Sequence, residues 1–360
     1  MTNSYLQPLD GIRALAFLLV FVSHAGYGAL PGGFGVTVFF FLSGYLITSL
    51  LRKEFEQRGT ISLAGFYRRR ACRILPPLYC VLAAVTLLNA IGIPAHEASP
   101  GGLASIFFYY FNYRVLFLGI AGAHVPTGMG VLWSLMVEEH FYLLFPLAYL
   151  WMVRRRPTPR RQALWLLAAC LLALLWRLVL VYVGHSGLTG EVLWTYCASD
   201  ARFDSILWGS LLAVAANPWC GDRPGWIERR KGLYALVGLA LLTVSFVLRE
   251  PHFRETARYT LQGLALAPVF YFLVAAPTSK AARLLASAPL RTLGSISYTL
   301  YLVHFFLLDL MARSTPSSRA LRALAALAAA VVLGLAMRRC IEQPFRRLGR
   351  GNGAQREVLP

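Results

Sequence analysis

Apolar runs of about 20 residues recur along this chain from Gly11 to Met337. A run of that length, coiled as a helix, covers the roughly 30 Å of hydrocarbon at the centre of a bilayer. Charged residues make up only 14% of the 360 residues, whereas a soluble domain usually has about 25%. The sequence therefore predicts an all-α fold, a polytopic transmembrane bundle that forms one integral membrane domain.

Ten spans account for these runs. They lie near residues 10–28, 34–52, 71–92, 132–153, 162–183, 200–217, 233–248, 258–276, 292–312 and 319–338. An eleventh candidate, 103–118, is aromatic and is interrupted by Asn112 and Arg114. If 103–118 crossed the membrane, the basic segment 154–161 would lie outside, against the positive-inside rule. We therefore expect 103–118 to lie in the interface or to re-enter, although the sequence leaves a crossing open.

The basic residues set the predicted orientation. The chain has 35 Lys and Arg and a net charge of +19. With ten spans, 25 basic residues fall on one side of the membrane and seven on the other. Because basic loops stay in the cytoplasm, both termini are predicted to be cytoplasmic. The positive charge thus indicates topology, and we expect no nucleic-acid partner. Residues 1–348 form the predicted membrane domain, and 349–360 a disordered cytoplasmic tail.

Ionisable side chains inside the spans point to a functional site, because each is costly in a bilayer and normally faces a cavity or a partner. Arg13 and His24 lie 11 residues apart in the first span. They therefore project from one face, about 16 Å apart along the helix axis. In the predicted topology, Arg13 is near the cytoplasmic end and His24 near the outer end.

Five further ionisable side chains share the predicted depth of His24, in the outer third of the membrane. They are Glu138, Arg177, Arg202, Asp204 and His304. One interpretation is structural: a packed histidine with the buried ion pairs Arg177–Glu138 or Arg202–Asp204. The other is functional, because a buried cluster of both signs around a histidine suits acid–base chemistry. We favour the functional interpretation, since scattered structural residues would not be expected to share one level.

A second basic feature, the run Arg68–Arg73, stands at the start of the third span beside Pro76 and Pro77. Arginine forks bind phosphate groups well, so Arg69, Arg70 and Arg73 suit an anionic ligand. Positive-inside anchoring of the span is the alternative.

Metal binding is not indicated by the cysteines. The six cysteines lack CxxC and Cys/His spacings typical of metal sites. Most lie in or beside apolar spans, where cysteine is usually a small buried hydrophobe. We therefore expect no metal site.

Seven sequence blocks, in order, resemble the acyltransferase 3 family of membrane-bound O-acyltransferases, which modify bacterial glycans and related acceptors. The blocks are LDGIRALAFLLVFVSH (9–24), FFFLSGYLIT (39–48), FYRRRACRILPPLY (66–79), WSLMVEEHFYLLFPL (133–147), RFDSILWGSLLA (202–213), LGSISYTLYLVH (293–304) and IEQPFRRL (341–348). The resemblance covers nearly the whole chain. It implies a multi-pass protein of the bacterial cytoplasmic (inner) membrane. One departure is His140, where glutamine is frequent in the family.

The resemblance implies acyl-CoA as a co-substrate, most often acetyl-CoA, with no permanently bound cofactor. It also implies a hydroxyl-bearing acceptor, for which we expect a cell-surface or lipid-linked glycan at the outer side. The family's arginine-to-histidine pattern falls on Arg13 and His24, and its acidic residue falls on Glu138. Its RRxxR pattern falls on Arg69, Arg70 and Arg73.

A mechanism follows from these placements as a hypothesis. Arg69, Arg70 and Arg73 hold the CoA phosphates on the cytoplasmic side, with Arg13 at the inner mouth. Among the outer residues, His24 acts as general base and Glu138 orients it. Alternatively, His24 itself carries the acyl group in a two-step transfer.

The remaining outer residues are assigned to the transition state or the acceptor pocket. Arg177 or Arg202 offsets the developing oxyanion, and Asp204 and His304 complete the pocket. Two rival functions remain: a transporter or flippase that moves a glycan or acylated substrate without covalent chemistry, and a non-catalytic scaffold or sensor.

Overall fold

A computed structural model describes residues 6–28, 31–94, 98–155, 158–184, 194–314 and 317–350. This part of the chain consists of helices and their connections, with no strand, which confirms the predicted all-α class. The helices are α1 (Gln7–His24), α2 (Gly32–Arg58), α3 (Leu63–Ala90), α4 (Pro100–Phe107), α5 (Phe111–Gly122), α6 (Trp133–Arg154), α7 (Pro159–Tyr182), α8 (Trp194–Cys197), α9 (Ser199–Ala215), α10 (Gly225–Val247), α11 (Pro251–Glu255), α12 (Ala257–Ala275), α13 (Lys280–Leu285), α14 (Ala288–Ser295), α15 (Ser297–Ser314), α16 (Arg319–Met337) and α17 (Gln343–Arg350). A 3₁₀ turn, Met129–Leu132, leads into α6, and a π-helical turn, Arg338–Glu342, joins α16 to α17.

Several helices have the length and apolar character of membrane spans. Within the described ranges there are six: Gly32–Arg58, Leu63–Ala90, Met129–Arg154, Pro159–Tyr182, Gly225–Val247 and Arg319–Gly349. The bent pair α14 and α15, which meet at 75°, would be a seventh. The chain is thus a multi-helix membrane protein. The count of ten spans and the cytoplasmic position of both ends remain predictions.

Three predicted spans, α1, α9 and α12, fall outside that set because they are shorter or more polar. α9 has 17 residues. α1 carries the buried pair Asp10 and Arg13, and α12 carries the buried Gln262. Polar side chains are tolerated in such helices where they face neighbouring helices instead of lipid.

The ambiguous segment 103–118 is two helices, α4 and α5, and not one continuous span. Their eight and 12 residues rise only about 12 and 18 Å. Tyr109, between them, has a φ of 61°, a left-handed conformation that interrupts the helix. How this segment lies in the membrane remains a prediction. Of the predicted disordered tail, 349–360, the first two residues are helical and end α17, and residues 351–360 lie outside the described residues.

Helix α2 is central to the bundle and packs against α1, α6, α9 and α12. Its contact with α9 is close: a Cβ placed on Gly44 would meet the backbone of Ile206, and one on Gly209 would meet that of Phe41. Small residues let two membrane helices approach in this way. This packing sets the start of α9, with its buried Arg202 and Asp204, beside α2.

Candidate active site

His24 and His304 form a hydrogen-bonded pair between α1 and α15. Their Nδ1 and Nε2 atoms are 2.9 Å apart. The rings stack with centroids 5.2 Å apart and planes 10° apart. His304 is fully buried and stands edge-on to Phe17, whereas His24, the last residue of α1, is exposed. One imidazole is therefore open to a ligand and the other holds it from behind.

The backbone of α15 determines which nitrogen of each ring carries the proton. His304 Nδ1 lies 2.8 Å from the carbonyl oxygen of Tyr301. A carbonyl only accepts, so His304 Nδ1 carries a proton and donates it there. In the neutral pair, His304 Nε2 then accepts from His24 Nδ1–H, and His24 Nε2 is left with a lone pair. That lone pair is what a general base needs.

Glu138 faces a different set of partners. Its carboxylate accepts hydrogen bonds from Ser43 Oγ at 3.0 Å and from the Tyr142 hydroxyl at 3.2 Å. Ser134, Glu138 and Tyr142 share one face of α6, since they are spaced by four residues. Every hydrogen bond of Glu138 thus goes to α2 or α6, and none goes to His24. The predicted Glu138–His24 hydrogen bond is not formed, and His304 takes the place next to His24.

Arg177 and Asp204 form a fully buried ion pair. Two parallel hydrogen bonds of 2.7 and 2.6 Å join them. The other guanidinium bonds go to the carbonyls of Thr256 and Ala201 and to the Thr260 hydroxyl. All five N–H donors of this arginine are used. The pair ties α7, α9 and α12 together, which agrees with the structural interpretation, although Asp204 and not Glu138 is the partner.

Arg202 is also fully buried but is paired differently. It donates to Thr37 Oγ1 at 3.1 Å, while its Nε and Nη1 atoms make no hydrogen bond. Its guanidinium lies 3.9 Å from the ring centroid of Tyr259, with Tyr196 and Phe40 also nearby. Aromatic faces stabilise the charge. The six predicted outer residues therefore form four separate groups and not one cluster.

A cavity of about 210 Å³ runs beside α2. Its wall on α2 extends from Val36 to Gln57, a rise of roughly 32 Å. Near one end, the rings of Phe39 and Tyr301 lie 6.5 Å apart. Toward the other end, Glu54 lies in the wall, so the cavity is long and narrow, and its two ends differ in chemistry.

Basic residues dominate the end near Glu54. The lining includes Arg13, Lys53, Arg69, Arg70, Arg73 and Arg346, with only Glu54 and Glu138 as acids. Arg69 pairs with Glu54 at 3.2 Å, and Arg13 pairs with Asp10 at 2.7 Å. The Arg70 guanidinium lies 5.3 Å from the Tyr142 ring. The structure thus brings together all four arginines that the sequence analysis assigned to the donor, and an excess of positive charge suits an anion.

The cavity and the histidine pair share one residue, Tyr301. Its side chain lines the cavity, and its hydroxyl donates to the Val131 carbonyl at 2.8 Å and lies 2.5 Å from Ser134 Oγ. Its own carbonyl holds His304, and the two rings are 5.5 Å apart. The end of the cavity near Tyr301 therefore adjoins the histidine pair.

Several lining residues are absent from the site predicted from the sequence. Ser43, Tyr142 and Tyr301 lie within the sequence blocks that resemble the family, in the segments SGY, FY and TLY. Their hydroxyls are uncharged and lie in apolar helices, so the sequence does not distinguish them from packing residues. Arg346 lies in the last block and looks like one more positive-inside residue. In the part of the chain that the structure describes, no three His, Cys, Asp or Glu side chains are grouped as metal ligands.

Residues 7–339 match a family model described as an acyltransferase domain. The chain is 28% identical to the peptidoglycan O-acetyltransferase OatA of Listeria monocytogenes over 364 residues, covering 97% of this chain and 57% of the relative. It is 30% identical to the O-acetyltransferase OatA of Staphylococcus aureus over 312 residues, covering 84% of this chain and 50% of the relative.

The chain therefore spans about half the length of the curated relatives it matches. No solved structure is significantly similar to it. The family match extends over the histidine pair and over the arginine-lined cavity except Arg346. This chain belongs to the acyltransferase 3 family.

Proposed function

We propose that this protein is an O-acyltransferase of the bacterial cytoplasmic membrane that transfers an acetyl group from acetyl-CoA to a hydroxyl of a glycan. One observation carries the proposal. The cavity is lined by arginines toward one end. At the other end, Tyr301 contacts His304, which in turn holds His24 with its Nε2 available as a base.

The donor fits this arrangement in both charge and length. CoA carries its phosphates at one end and its thioester at the other. The arginine-lined end would hold the phosphates, with Arg69, Arg70 and Arg73 at the start of α3 and Arg13 opposite on α1. Arg13 and His24 are 11 residues apart, or about 16 Å along α1, which is comparable to an extended pantetheine arm.

The proton transfers at the other end use the histidine pair. His24 Nε2 accepts the proton of the acceptor hydroxyl while the oxygen of that hydroxyl attacks the thioester carbonyl carbon. The C–S bond then breaks, and the CoA thiolate takes the proton back from His24. His304 holds the base in the required tautomer and shares the positive charge that forms on it, the role of the third group in a catalytic triad.

Glu138 has a different part in this proposal from the one the sequence suggests. It binds the hydroxyls of Ser43 and Tyr142 along the cavity wall. We assign it to shaping the donor path, where it also offsets part of the charge of the arginines. Arg202, with two nitrogens that make no hydrogen bond, is the arginine we propose for the oxyanion or the acceptor. Arg177 has no donor left for either.

The acceptor class comes from the relatives. Both are named as O-acetyltransferases, and one is named for peptidoglycan. We propose a glycan hydroxyl as the acceptor of this chain. The exposed position of His24 beyond the cavity end would let a bulky acceptor approach from outside the bundle while the donor occupies the cavity.

Release of free CoA thiol is the decisive measurement. The purified protein in nanodiscs should release thiol from acetyl-CoA when a glycan acceptor is added, with a matching gain of acetyl ester. His24→Ala should abolish both signals and leave the thermal unfolding temperature unchanged. Acceptor movement across the membrane without thiol release would instead support the flippase interpretation. A His24→Ala variant with normal turnover would refute the assignment of the base.

A further inference from the structure

The last helical segment of the described chain bears a buried carboxylate that the mechanism above does not use. Glu342 ends the π-helical turn between α16 and α17 and is fully buried. It accepts a hydrogen bond from Thr299 Oγ1 at 2.6 Å. It also accepts one from Arg346 Nη2 at 2.9 Å. π-Helical turns are rare and often occur at functional sites.

The helix that follows, α17, packs on the arginine-bearing start of α3. Arg68 Nε donates to the carbonyl of Gly349 at 3.2 Å. A Cβ on Gly349 would lie 3.0 Å from the Cβ of Cys72 and 3.5 Å from the Cα of Arg69. This close approach fixes α17 beside the residues assigned to the CoA phosphates.

Arg346 projects from α17 into the same cavity wall as Arg69, Arg70 and Arg73. Like charges gathered around one cavity repel each other unless an anion or an acid stands among them. Glu342 supplies an acid for Arg346, as Glu54 does for Arg69. In both cases a carboxylate holds an arginine that faces the cavity, and Glu342, unlike Glu54, does not itself line the cavity.

We propose that Arg346 is a further donor-binding residue that contacts the phosphates of acyl-CoA, and that Glu342, fixed by Thr299, is its positioning residue. This inference rests on the proposed function, since it assumes that the cavity holds CoA. Thr299 lies between Tyr298 and Tyr301 in the same chain segment, and Tyr301 adjoins the histidine pair.

A purely structural role is the alternative, in which the Glu342–Arg346 pair only fastens α17 to α15. The two roles differ in which ligand they affect. A phosphate contact matters for CoA and is irrelevant to pantetheine, which has the same arm without the nucleotide. A structural role would affect both ligands equally or neither.

The test is the dissociation constant of CoA and of pantetheine, each titrated against the full chain in nanodiscs. Arg346→Gln should weaken CoA binding about tenfold, equivalent to about 1.4 kcal/mol, and leave pantetheine binding unchanged. Arg346→Lys should recover part of the loss. Arg347→Gln, which removes the same charge from the exposed neighbouring position, should alter neither constant.

Glu342→Gln and Thr299→Val test the positioning role, and Thr299→Val keeps the shape of the side chain if the first variant fails to fold. Both should weaken CoA binding in the same selective way, by a smaller factor than Arg346→Gln. Equal losses for CoA and pantetheine, or no loss in Arg346→Gln, would overturn the inference. Binding is measured without turnover, so a wild-type protein that binds CoA but transfers no acetyl group would refute the proposed function alone.

Discussion

His24 Nδ1 lies 2.9 Å from His304 Nε2, and the two imidazole rings stack between α1 and α15. The buried ring is itself held by the carbonyl of Tyr301. The main chain of α15 thus orients the His304 ring, and the His304 ring orients the exposed His24 imidazole. A carboxylate is not needed for this arrangement.

His304→Ala should lower kcat about 100-fold or more, within the range that general-base catalysis contributes. Removing the His304 ring removes the acceptor for His24 Nδ1–H. The His24 imidazole is then held neither in one tautomer nor in one orientation. The KM for acetyl-CoA should change little, since His304 does not line the cavity. Thiol release under saturating donor measures the effect. His140→Gln, at a histidine bonded to Ser199 instead, is the control, and a near-normal rate in His304→Ala would contradict the prediction.

Glu138→Gln should raise the KM for acetyl-CoA by about tenfold and change kcat less. Each carboxylate oxygen of Glu138 accepts one hydroxyl, from Ser43 or from Tyr142. The amide has a single acceptor oxygen and turns its NH2 group toward the other hydroxyl, which distorts the wall of the donor path. Steady-state kinetics with varied donor separate the two constants. A collapse of kcat as large as that of His304→Ala, at an unchanged KM, would restore the role of orienting His24 to Glu138.

Arg177→Met should destabilise the protein without a direct effect on chemistry. It leaves the buried Asp204 carboxylate unpaired, which costs about 3–5 kcal/mol. The free energy of unfolding in mixed detergent should fall by that amount, while the turnover of the remaining folded protein stays normal. Replacing both partners, as Arg177→Met with Asp204→Leu, should recover much of the stability. A double variant that is no more stable than the single one would show that the ion pair itself is not the cause.

Cysteine labelling tests the predicted orientation of the bundle. In a background without native cysteines, Tyr27→Cys beside His24 should react with an impermeant maleimide on intact cells. Thr60→Cys, next to the arginine-bearing start of α3, should react only after the inner membrane is opened. Both side chains are exposed, so access and not burial decides the result. The reverse pattern would place the donor end outside and exclude cytoplasmic acyl-CoA.

The sequence predicts which face of a helix carries a polar residue better than it predicts that residue's partner. Helical spacing puts Arg13 and His24 on one face of α1, and the structure has Arg13 in the cavity wall and His24 against His304. The predicted membrane depth puts Arg177 level with Glu138, yet Arg177 forms its ion pair with Asp204. Which residues meet at one level depends on the rotation of each helix, and this is determined by packing contacts such as Gly44 against Ile206. No spacing rule along a single helix contains that information.

The site residues that were missed are those whose sequence signal is weak. Tyr301 and Ser43 are hydroxyl residues inside apolar helices, and only their contacts show that one separates the cavity from the histidines while the other binds Glu138. In the sequence alone, Arg346 looks like one more basic residue that determines topology. Its place in the cavity depends on the π-helical turn before α17, a backbone irregularity that the sequence IEQPFRRL does not reveal.

Tyr301 contacts the cavity and the histidine pair with different atoms. Its side chain lines the arginine-lined cavity, and its main-chain oxygen holds His304. A substitution at this position would therefore reshape the passage without removing the atom that sets the proton arrangement of the imidazoles. If the cavity holds the donor as proposed, we expect a smaller side chain at position 301 to admit longer acyl chains while the histidine pair keeps its proton arrangement.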